Sequence, residues 1–145
     1  MLAIVRPDGW NLPLLVHVAG AMLLVGALVV VMAVTAGGLR RGDDAAVLTR
    51  LAFRTLLIGV LPAYIAMRAG AEWIASESAV GDPTWVGIGY GVGDGGLLLT
   101  IAAIVLAWRA ARRGSGGSAR AVFVLSALLI VAYAVAIWAM TAKPA

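Results

Sequence analysis

Four long apolar runs dominate the chain, at residues 12–36, 55–74, 91–108 and 121–140. Each falls within the roughly 17–25 residues that a helix uses to cross about 30 Å of hydrocarbon. No water reaches a backbone N–H or C=O in lipid, so each run has to satisfy its own polar groups and is expected to be helical. Composition leads the same way. Of 145 residues, 63% are hydrophobic and 12% charged, against roughly 25% charged in a soluble domain. A chain this short has too little interior to hide so much apolar surface from water. The expected fold is all-α membrane: one domain over residues 1–145, built as a four-transmembrane-helix bundle. The first run is longer than the roughly 7–15 apolar residues of a secretory signal, so it reads as a retained helix.

The charged residues orient the bundle. Arg40, Arg41, Arg50 and Arg54 lie between the first two runs, and Arg109, Arg112, Arg113 and Arg120 between the last two. Elsewhere outside the runs only Arg6 and Lys143 are basic. An excess of basic residues marks cytoplasmic loops, so both termini and the Glu77/Asp82 loop are expected on the extracytoplasmic side. Trp10, Trp73, Trp85 and Trp138 then form an outer aromatic belt, and Trp108 marks the inner edge. This topology accounts for the net charge of +4 without a nucleic-acid partner. The Arg-rich, Ala- and Gly-rich composition suggests a bacterial source, hence the cytoplasmic (inner) membrane. The chain has no cysteine, which excludes disulfides, thiolate metal sites and thiol–disulfide chemistry.

Asp44 is the expected N-cap of the second helix, and Asp82 followed by Pro83 that of the third. Residues 114–118 read as a short flexible turn. Each hairpin carries Arg-Arg-Gly at its basic turn (Arg40–Gly42 and Arg112–Gly114), a faint internal likeness.

Ionisable residues inside the runs are the functional candidates. At 1.5 Å per residue, Arg68 sits about 21 Å above Arg54, and Asp94 about 22 Å above Arg109. His17 sits about 7 Å below Leu12. Three helices thus bring His17, Arg68 and Asp94 to one level beneath the outer surface, with Glu72 one turn higher. Tyr133 comes out slightly deeper and Tyr64 nearer the midplane. Tyr64, Arg68 and Glu72 share one stripe at i, i+4, i+8, so Arg68 has two candidate partners, Glu72 and Asp94. In the structural reading these charges lock helix two to helix three. In the functional reading they form a small outward-facing polar pocket that takes a metal, a haem edge, a quinone head group or a proton. One imidazole is not a metal site by itself, and Arg68 favours an anion such as a carboxylate.

Other features concern packing. Pro62 removes a backbone donor and is expected to kink helix two, freeing the Ile58 carbonyl as a hinge. Residues 87–96 echo a potassium-filter Gly-Tyr-Gly, but the filter threonines are missing. As a dinucleotide fingerprint the segment also fails, since no strand precedes it. Read as helix, its glycines recur at i, i+4, and Gly91 and Gly95, with Gly20 and Gly26 on helix one, are expected at close helix contacts or on a self-association face. Ser126 is expected to bond its own backbone.

The run from Leu14 to Ala21 (Leu-Leu-Val-His-Val-Ala-Gly-Ala), followed by Gly26, resembles the first helix of several bacterial four-helix membrane families. These include poorly characterised integral membrane proteins, the copper-resistance CopD membrane domain and the HemJ-type protoporphyrinogen oxidase. The resemblance covers helix one and implies a haem or metal role for His17. The HemJ type expects further His and Lys residues in its spans, and this chain has none there. Residues 62–73 and 138–144 look like an uncharacterised membrane family.

No nucleophile–base pair, catalytic carboxylate pair or phosphate loop stands out, which argues against an enzyme. The leading expectation is a non-catalytic accessory or assembly subunit that associates with itself or with a larger membrane complex. The alternatives are a haem-, metal- or quinone-binding redox protein and a small proton-coupled transporter.

Overall fold

The computed structural model describes Gly9 and residues 11–40, 45–77 and 84–142. Arg6, Trp10, Arg41, Asp44, Asp82, Pro83 and Lys143 lie outside the described residues, and with them the caps expected at Asp44 and Asp82. Four helices are long and apolar enough to cross a membrane: α1 (Asn11–Arg40), α2 (Ala45–Glu77), α3 (Thr84–Arg113) and α4 (Gly116–Ala142). All four extend beyond their apolar runs. At 1.5 Å per residue a 30-residue helix is about 45 Å long, so its ends reach past the hydrocarbon.

The helices form an all-α bundle in which each packs against its neighbours in chain order, and α4 closes the ring against α1. The core holds Leu24, Leu28 and Val31 of α1, Leu56 and Val60 of α2, Ala103 and Ala107 of α3, and Val122 and Leu129 of α4. The outside is as apolar as the inside: Leu15, Met22, Leu23, Ile58, Leu98 and Val131 all stand exposed. That is the surface a hydrocarbon solvent requires and water would not tolerate.

The turn between α3 and α4 is tighter than the five residues suggested by composition. Only Gly114 and Ser115 leave the helices. Gly114 takes φ +63, a left-handed conformation that costs glycine little. Its N–H donates to Ala110 O at 2.9 Å. The Ser115 hydroxyl then accepts from the Ser118 N–H at 3.4 Å as α4 begins.

Helix α2 is not a regular rod. Residues Leu56–Val60 form a π-helical turn, closed by a bond from the Leu61 N–H to Leu56 O. Pro62 follows at once and has no N–H to give. The carbonyl four residues back (Ile58) and the one five residues back (Leu57) are the two it would have served in the α and π registers. The bend expected at Pro62 is therefore shared with a wide turn, a common cause of helix kinks. Beyond this point α2 lies along α1 and barely touches α3.

Candidate functional site

Two glycines fix how α2 meets α1. A Cβ built on Gly20 would stand 2.5 Å from Met67 N, and one on Gly70 would stand 2.5 Å from His17 N. The backbones are in direct contact, and only glycine permits this at either position. The crossing sets His17 beside Met67, and His17 Nδ1 lies 2.8 Å from Met67 O. A carbonyl only accepts, so Nδ1 is the donor. In the neutral ring Nε2 then carries a lone pair and faces away from that bond.

The second wall of the site comes from Arg68, the residue after Met67. Its Nε lies 3.1 Å from Glu72 Oε1, one turn along the same helix. Its Nη1 lies 3.2 Å from Asp94 Oδ1 on α3. The guanidinium also sits over the Tyr90 ring, 4.5 Å from the centroid, a cation–π contact. Arg68 is 28% exposed at its side chain, Glu72 54% and Asp94 68%. The charged cluster therefore sits at the flank of the bundle with its guanidinium turned inward. Because α2 and α3 scarcely touch here, Arg68 is the bridge between them.

Behind that bridge is a cavity of about 70 Å³, lined among others by His17, Met67, Arg68, Tyr90, Tyr133 and Met140. Most of its lining is apolar. The buried Tyr133 contributes its ring, while its hydroxyl presses against Gly96, where any Cβ would collide with it. That hydroxyl has no hydrogen-bond partner, nor do those of Thr100 and Ser126. Ser126 thus departs from the expected bond to its own backbone. Thr35, Thr49, Thr55 and Thr141 do make that bond, each to the carbonyl four residues earlier.

Tyr64 is buried in the core one turn below Arg68. Of the glycines expected at close contacts, Gly20 makes one. Gly26, Gly91 and Gly95 do not: a Cβ on any of them meets nothing within 4 Å. The reason is rotational, since α3 turns Gly93 and Gly96 inward, which sends Gly91 and Gly95 to the exposed face. Sequence reasoning passed over Gly70, Met67 and Tyr90. For Tyr90 a signal existed, because it stands four residues before Asp94 and so shares its face.

The residues do not fit a haem or a conventional metal centre. The cavity is under half of the roughly 150 Å³ that accommodates a benzene ring, so a macrocycle has no room in it. Among the described residues no group of three or more His, Cys, Asp or Glu side chains is placed to hold a metal ion. An anion is equally ill served, since Arg68 already faces two carboxylates and the three charges sum to −1. Compared with known proteins, the chain matches no family, no curated sequence and no solved structure.

Proposed function

We propose that this is a non-catalytic multi-pass protein of a bacterial cytoplasmic membrane, with both termini outside, that holds a small molecule in the pocket between α1, α2 and α3. The observation that carries the reading is the pairing of His17 with Met67 O at the wall of a cavity closed by Arg68. A predominantly apolar cavity with a few convergent polar groups is the usual form of a small-molecule site. The excess of basic residues at the Arg40/Arg113 end supports the orientation, which puts the pocket in the outer half of the bilayer.

The test is the small-molecule content of the protein extracted in native lipid. Mass spectrometry is expected to find a species on the wild type that is lost from both His17→Ala and Ala71→Trp, the latter filling the cavity. Identical content in all three proteins would overturn the proposal.

A second reading is favoured by one observation. Gly87, Gly91 and Gly95 line the exposed face of α3 at four-residue steps with open space beside them. Such a face suits an accessory subunit that packs against another membrane helix, its own copy or a larger complex. Strictly monomeric behaviour in mild detergent and in lipid discs counts against this second reading.

A further inference from the structure

The donors and acceptors around the cavity specify more than its size. We infer that the pocket takes the hydroxyl end of a lipid-soluble alcohol or phenol, an inference that rests on the binding reading above. His17 gives its Nδ1 proton to Met67 O, so its free Nε2 asks for a donor. Arg68 has five N–H donors, of which one on Nε and one on Nη1 face carboxylates, so three ask for acceptors. Both groups line the same cavity. A hydroxyl is the smallest group that donates to one and accepts from the other. A ketone or ester carbonyl offers Nε2 nothing, and a hydrocarbon offers neither group anything. A carboxylate meets the uncompensated charge of Glu72 and Asp94, and an ammonium has to lose its water beside a guanidinium.

Volume and access agree with this class. About 70 Å³ admits a hydroxyl and its first few carbons, so the remaining body of the ligand has to lie outside. Past Pro62 the contact between α2 and α3 is slight, and the exposed surface there is the one that lipid covers. Entry is therefore from the bilayer, past Arg68, with the apolar body left among the acyl chains.

The experiment uses three diazirine probes of equal chain length on the full protein in lipid discs: an n-alkanol, the parent alkane and the fatty carboxylate. After illumination, peptides carrying the cavity residues are quantified by mass spectrometry. One hydrogen bond is worth about 1 kcal/mol, a factor of about five in affinity. The alkanol is expected to label cavity residues at least about fivefold over the alkane and the carboxylate, and unlabelled 1-decanol to compete it away. His17→Leu is expected to reduce alkanol labelling to the alkane level, and His17→Gln, which keeps an acceptor, to retain part of it. Equal labelling by alkanol and alkane, or stronger labelling by the carboxylate, overturns the hydroxyl assignment and leaves the pocket standing. Failure of all three probes to label the cavity overturns the pocket itself. The wild-type competition decides the matter even where a variant does not fold.

Discussion

At the scale of single residues, the glycines divide into those the bundle depends on and those it does not. Gly20→Ala or Gly70→Ala pushes a methyl into opposing backbone, and backbone cannot rotate out of the way. Overpacking of this kind costs about 1–3 kcal/mol, so either variant is expected to lower the thermal midpoint and to disturb the His17–Met67 bond. Gly26→Ala, Gly91→Ala and Gly95→Ala enter open space. Each is expected to hold stability level or raise it by up to about 1 kcal/mol, through the loss of glycine's backbone freedom. A thermal scan of all five in one detergent checks the contrast, and equal losses across the set would contradict it. Gly96 is a different case, since its neighbour is the tip of a side chain. Gly96→Ala is expected to destabilise, and less so when combined with Tyr133→Phe, which removes the atom in the way. A double-mutant cycle with no coupling would refute that contact. None of this division was legible in the chain. A helix apolar on all sides gives no amphipathic stripe, so hydropathy cannot say which of Gly91, Gly93, Gly95 and Gly96 faces inward. The polar residues were easier to place. The Arg68–Glu72 spacing and the shared depth of Arg68 and Asp94 follow from helix geometry alone.

At the scale of elements, the spans were readable because length and hydropathy are one-dimensional properties. The π turn was not. Pro62 announces a break in the ladder, but nothing in Leu56–Val60 indicates that the preceding turn widens. Proline and wide turn together direct the end of α2 toward α1 and away from α3, and this creates the cavity. Pro62→Ala restores one N–H and is expected to draw the far end of α2 back toward α3. Because the chain lacks cysteine, spin labels at Ser76→Cys and Thr84→Cys report this cleanly. Their separation is expected to shift by several ångströms relative to the native sequence. An unchanged distance distribution would assign the bend to the π turn alone.

For the whole molecule, the surface is the informative part. Large apolar side chains stand exposed on every helix, while Arg40, Arg54, Arg109, Arg112, Arg113 and Arg120 gather at one end of the bundle. That charge asymmetry is the basis for the proposed orientation. It predicts that an impermeant maleimide applied to intact cells labels Glu77→Cys and spares Gly116→Cys until the membrane is opened. The reverse pattern would invert the topology and move the pocket to the cytoplasmic leaflet.

The wide turn in α2 has one more consequence, for the tolerance of the chain to change in length. A π turn is an α-helix with a residue inserted, and each inserted residue advances the phase of everything after it by about 100°. Deleting one residue from 56–60 would leave the span long enough and the hydropathy profile almost untouched. It would nevertheless swing Arg68 and Glu72 a quarter turn around the axis, away from Asp94 and toward the acyl chains. A lesion invisible to composition would thus unmake the bridge between α2 and α3, while any of the outward-facing leucines could be exchanged freely.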